Sequence, residues 1–168
     1  ALGVTFQSPD ADRYSYSASY LRGRIAGMLA GRAAEELVYD DVTTGAENDL
    51  EQATGIAKQM VGRWGMSEAV GMMTVLPDPR REQPLGLGGD GTSPATRELV
   101  ETEARRILDQ GYDQALATLR ANRQRLDALV EALLHTETLD AADAYRAAGV
   151  PVPAEPELPA QPADVVPR

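Results

Sequence analysis

Apolar side chains recur at helical spacing over most of the chain. From about Ser17 to Tyr39, Leu21, Ile25 and Met28 share one face, continued by Arg32, Glu35 and Glu36, with Ser17 or Ser19 as the N-cap. The second face of that helix carries Gly27, Ala30, Gly31 and Ala34. Interior glycine costs a helix about 1 kcal/mol relative to Ala, so these small residues predict close approach of another helix, for which a helix outside this sequence is a candidate. Ser93 as N-cap and Pro94 as first helical residue open a long helix with Val100, Ala104, Ile107, Leu108, Ala115 and Leu119 on its stripe. Asn122 interrupts or recaps it, and Leu126, Leu129, Val130, Leu133 and Leu134 form the next stripe. Thr138-Leu139-Asp140 starts a last short helix that ends at Gly149. Only residues 1 to 7 read as a strand, from Val4-Thr5-Phe6 and the Pro9-Asp10 punctuation. The predicted fold is mainly α, helical with a small N-terminal β element.

Between the first and last of these helices lies Thr43-Thr44-Gly45-Ala46-Glu47-Asn48-Asp49-Leu50. Thr44 followed three residues later by Glu47 has capping-box spacing, which starts a helix near Gly45. At 100° per residue, Asp49 falls on or beside the stripe of Ala53, Ile56, Ala57, Met60 and Trp64. An acid turned toward an apolar face needs a cation or several donors, because an unpaired buried carboxylate costs several kcal/mol. A metal ion, a salt bridge or a cap on a neighbouring loop would each satisfy it.

The intervening segments read as connections. Met66 to Leu76 is apolar and predicts a turn plus an extended piece, with its three Met as core filler. Residues 77 to 93 are rich in Gly and Pro and read as a mobile loop. Their glycines are no phosphate cradle, since no Gly-Lys-Ser/Thr follows. Residues 151 to 168 contain six prolines and few large apolar side chains, which predicts a disordered tail. The expected organisation is therefore one domain over residues 1–149 and a Pro-rich tail over 150–168.

Composition narrows the function. With 168 residues and 43% hydrophobic composition there is chain enough for one core, and no apolar run is long enough to cross a membrane. A net charge of −10, from 26 acidic against 16 basic residues, argues against a nucleic-acid surface, which would need clustered Lys and Arg. Without Cys there is neither a disulfide nor a thiolate metal site. The one histidine, His135, reads as an exposed helix-end residue.

The runs Gly31-Arg32-Ala33-Ala34-Glu35-Glu36-Leu37, Val42-Thr43-Thr44-Gly45-Ala46, Asn48-Asp49-Leu50 and Trp64-Gly65-Met66-Ser67 closely resemble the peptidase domain of the FtsH family. These are membrane-anchored, ATP-dependent zinc metalloproteases, and the resemblance extends from Ala1 to about Gly149. It implies that Asp49 is the third zinc ligand and that Glu35 lies close to the metal in a supporting shell. It also implies that Gly3, Val4, Thr5 and Phe6 form the strand beside the cleft, where an extended substrate adds by backbone pairing. The family usually has Gly where Ala30 stands and often Gly where Asp40 stands, departures that concern loop geometry rather than chemistry. Further implications are protein substrates, unfolded or tagged, a homo-hexameric ring, and ATP handled by a separate domain. The parent would be membrane-anchored through a part outside this sequence, its peptidase domain facing the cytoplasm or an organelle interior.

The family's other ligands and its general base come from a His-Glu-x-x-His helix, and that motif is not in this sequence. Ala1 is not an initiator Met, so the chain reads as a fragment beginning just after that helix and, alone, is expected to be inactive. The alternative is a non-catalytic helical module, a pseudo-protease or ring-forming scaffold.

Overall fold

The structure, a computed structural model, describes residues 15–76 and 92–152, which are helical and contain no strand. The mainly α expectation holds. The strand expected over residues 1 to 7, with Gly3, Val4, Thr5 and Phe6, lies outside the described residues, as do most of the 77 to 93 loop and the tail from residue 153 onward.

Local signals set the helix ends. The Ser17 hydroxyl accepts from the Tyr20 N–H at 3.2 Å and opens α1 (Ala18–Tyr39). At the other end Asp40 takes the left-handed conformation, φ 53°, and donates its N–H to the Glu36 carbonyl. Gly or Asn is the usual occupant of such a closing position, and Asp tolerates it because its short polar side chain bonds locally. A 3-10 turn over Thr44–Ala46 leads into α2 (Glu47–Gly62). Ser93 caps α3 (Pro94–Ala121), accepting from the Thr96 N–H at 3.1 Å, with Pro94 in the first turn. Asn122 closes α3, as its position predicts.

These three helices pack as one unit spanning Tyr16–Arg123. Its core joins Leu21, Ile25 and Leu29 of α1, Ala53, Ala57, Met60 and Val61 of α2, and Val100, Ala104 and Ile107 of α3. Each large side chain removed from water contributes about 1.5–3 kcal/mol, and the two alanines let α2 lie close. After α2 the chain turns at Gly65, φ 62°, and returns so that the Val75 and Leu76 N–H groups donate to the Gly62 carbonyl at 2.8 and 3.0 Å.

Two packing expectations need correction here. Of the three Met in this return, only Met66 packs on the core; Met72 is 98% exposed and Met73 is exposed as well. Gly71, φ 84°, turns the backbone at this point and carries both out of the core. Trp64 lies beyond the end of α2, where the helical period no longer applies, and is exposed. On α1, no described residue comes within 4 Å of a Cβ built at Gly23, Gly27 or Gly31, so the helix expected against the small-residue face is not among the described ones.

A second unit takes in the described residues from Gln124 onward. It holds nearly all of α4 (Arg123–Thr136), which has no buried residue, and α5 (Ala141–Ala147). Asp140 caps α5, accepting from the Asp143 N–H at 2.7 Å. Gly149, φ 62°, ends it, with Gly149 and Val150 donating back to Arg146 and Tyr145. His135 is exposed, its Nδ1 2.8 Å from the Glu131 carbonyl.

Candidate functional site

The stretch from Glu35 to Asp49 is held by bonds that cross between elements. The Thr43 N–H donates to Glu35 Oε2 at 3.1 Å, and the Thr43 hydroxyl donates to Glu35 Oε1 at 2.7 Å. The same hydroxyl oxygen accepts from the Gly45 N–H at 3.1 Å, which makes Thr43 the cap of the 3-10 turn. These two bonds hold the Glu35 carboxyl below its usual value, the hydroxyl contributing most and the N–H next.

The capping box expected from Thr44 and Glu47 is therefore not the one formed. The capping threonine is Thr43, and the acid bonded to its N–H is Glu35 of α1, eight residues earlier. Ala46 is the N-cap of α2, and its methyl provides no capping bond. An acid at the third helical position commonly reaches back to cap its own helix; Asp49 occupies that position and makes no such bond. Its carboxylate is half-buried and has neither hydrogen-bond nor ion-pair partner among the described residues.

Asp49 thus sits at the edge of the apolar stripe, with Ala53 and Met60 fully buried behind it. Neither the salt bridge nor the loop cap that would satisfy it occurs among the described residues. A carboxylate oxygen is a suitable zinc ligand, so Asp49 fits as one member of a ligand set. No group of three or more His, Cys, Asp or Glu that could hold a metal occurs among the described residues. Glu35 is bonded to Thr43, and no bond joins it to Asp49.

Other polar groups tie the helices together. Tyr112 of α3 donates to Glu36, and burial first, then this bond, raises the tyrosine's pKa. Glu36, though exposed, thus ties α1 to α3. Ser67 donates to Glu103 Oε2 at 2.7 Å, and Arg106 grips the same carboxylate at 3.1 and 2.8 Å. The Arg106 bond, followed by that from Ser67, lowers the Glu103 pKa. Sequence reasoning missed this buried acid, although Glu103 sits one position from Ala104 on the expected stripe. An open groove of about 550 Å³ runs between Arg24 of α1 and the Asn48, Gln52, Gly55 and Gln59 side of α2, and Asp49 is not in its wall.

A model of peptidase family M41 matches residues 1–146. The chain is 55% identical over 150 residues to the ATP-dependent zinc metalloprotease FtsH 3 of Conexibacter woesei, covering 89% of this chain and 20% of that protein. It is 50% identical over 154 residues to the ATP-dependent zinc metalloprotease FtsH of Syntrophus aciditrophicus, covering 90% and 21%. Similarity extends to the ATP-dependent zinc metalloprotease YME1L of Drosophila melanogaster, 46% identical over 146 residues, covering 85% and 19%. The chain spans about a fifth of the length of the curated relatives it matches.

Proposed function

The chain belongs to peptidase family M41, and from that premise we propose that it is part of the proteolytic domain of an ATP-dependent zinc metalloendopeptidase, with Asp49 supplying the third zinc ligand. The observation that carries this reading is the half-buried carboxylate of Asp49, without a partner among the described residues, in a segment where Glu35, Thr43 and Gly45 are bonded to one another. The remaining ligands, two histidines, and the general-base Glu would come from residues outside this sequence. When bound, zinc supplies a Lewis acid that lowers the pKa of a bound water toward neutrality. This chain's own part is to hold the carboxylate ready. The turn and first helical turn present Asp49, the buried Ala53 and Met60 fix the helix beneath it, and Glu35 secures the turn from α1.

The proposed substrates are unfolded or tagged proteins, delivered by a separate ATPase domain in a membrane-anchored homo-hexamer. The peptidase domain would face the cytoplasm or an organelle interior. Among the described residues no helix is long and apolar enough to cross a membrane, so the anchor is proposed for the rest of the protein.

The test is Asp49→Asn in the full-length protein. Asn preserves shape but ligates zinc poorly, so bound zinc and cleavage of casein should both fall to near background while ATP hydrolysis persists. Full zinc content with full cleavage would remove Asp49 from the metal site. Absence of zinc from the unsubstituted full-length protein would favour the non-catalytic scaffold.

A further inference from the structure

We infer that Thr43 is a positioning residue for Asp49, linking α1 to the helix that carries the ligand; the inference rests on the metal-site reading above. A hydroxyl has one proton to donate and two lone pairs to accept with. In Thr43 the proton goes to Glu35 Oε1 and a lone pair takes the Gly45 N–H, so a single atom joins the acid of α1 to the turn that starts α2. The backbone N–H of Thr43 bonds the second oxygen of the same carboxylate. Thr43 is thus gripped at two points by one rigid helix, and three residues separate Gly45 from Asp49.

Two further observations support the role. A Cβ at Gly45 would lie 3.2 Å from Thr43 Oγ1 and 3.8 Å from Glu35 Oε1, so the turn closes tightly around the hydroxyl. Ala46 is the N-cap of α2 and its methyl accepts no hydrogen bond, so the side-chain support of this helix start comes from Thr43 and Glu35 through the preceding turn, and Asp49 makes no capping bond to its own helix. A ligand carboxylate must be held in orientation by groups beyond it, and loss of such support typically lowers metal affinity about 10- to 100-fold.

The experiment uses the full-length protein with Thr43→Val, which keeps the shape and loses the hydroxyl, Thr43→Ser, which keeps the hydroxyl, and Glu35→Gln. Asp49→Asn serves as the reference. Zinc affinity is measured by chelator competition, with ATP hydrolysis reporting on the rest of the protein. Thr43→Val should weaken zinc binding roughly 10-fold or more, and Thr43→Ser should restore it. Glu35→Gln should weaken it too, because its side chain keeps one acceptor oxygen where the Thr43 N–H and hydroxyl both donate. Combining Thr43→Val with Glu35→Gln should be no worse than Thr43→Val alone, since both break one link.

Unchanged zinc affinity in Thr43→Val, with zinc lost in Asp49→Asn, overturns the positioning role and leaves the metal reading standing. Zinc retained in Asp49→Asn overturns the metal reading and this inference with it. If Thr43→Val fails to fold, Glu35→Gln decides, and wild-type affinity there overturns the positioning role.

Discussion

Ser67 donates its hydroxyl proton to Glu103 Oε2 at 2.7 Å across 36 residues of sequence, pinning the loop after α2 to the first half of α3. Both side chains are buried. Arg106, one turn further along α3, bonds both carboxylate oxygens, so the acid enters the protein with its charge matched.

Removing one arm of this arrangement tests its weight. Ser67→Ala takes one hydrogen bond from a carboxylate that keeps Arg106, and it should cost about 1 kcal/mol in urea unfolding. Glu103→Leu leaves the Ser67 hydroxyl buried without its acceptor, and the cost should exceed that of Ser67→Ala. If the Glu103 substitution were the milder of the two, the carboxylate would not be what holds the loop.

Glu103 also predicts a pH dependence. Its pKa in the folded chain is lowered from the ordinary 4.5, so near that pH the unfolded chain binds more protons than the folded one. Stability is then fully present above the ordinary value and is lost as pH falls through the lowered one. Unfolding midpoints followed from neutral pH into the acid range should decline more steeply in the wild type than in Glu103→Gln. Parallel declines would assign the acid sensitivity elsewhere, with Glu35, lowered by Thr43, the next group to examine.

The contrast between Glu103 and Ser17 shows what was legible in the sequence. Ser17, Ser93-Pro94, Asn122 and Gly149 act on backbone groups within a few residues, so their effects are written locally. Asp49 was legible as an acid at the edge of an apolar stripe, because the stripe is a property of one helix. The cap beneath it was not. Thr44 and Glu47 have the right spacing, yet Thr43 won, because Glu35 of another helix can bond its N–H and its hydroxyl together. A spacing rule confined to one element has no means of weighing an acid arriving from a second one. Met72 and Met73 misled for a related reason, since composition favoured the core while the left-handed Gly71 turned them outward.

Loss of the Thr43 hydroxyl should also register in stability. Replacing a capping Thr by a residue without an acceptor costs about 1 kcal/mol, so Thr43→Val should lower the unfolding midpoint while Thr44→Val changes it little. Thr44 makes no recorded side-chain bond among the described residues, so an equal loss at both positions would restore the capping box read from sequence.

Two interior glycines should respond oppositely to the same substitution. In an exposed helix Gly→Ala gains about 1 kcal/mol from reduced backbone freedom in the unfolded chain and better helix propensity. Gly27 is exposed, with nothing within 4 Å of a built Cβ, so Gly27→Ala should stabilise the chain by about that amount. At Gly111 the propensity gain is the same, but the Cβ would lie 2.9 Å from Ile25 Cγ2 and 3.5 Å from the Ala26 nitrogen. Ile25 is 0% exposed and cannot turn away without displacing the core. Overpacking of this kind costs about 1–3 kcal/mol, which meets or exceeds the gain, so Gly111→Ala should be neutral to destabilising, well below Gly27→Ala. Urea unfolding of the two variants beside the wild type reads the difference directly. Equal gains at both positions would mean that α1 and α3 are not in close contact at Gly111, and the three-helix packing beneath Asp49 would have to be redrawn.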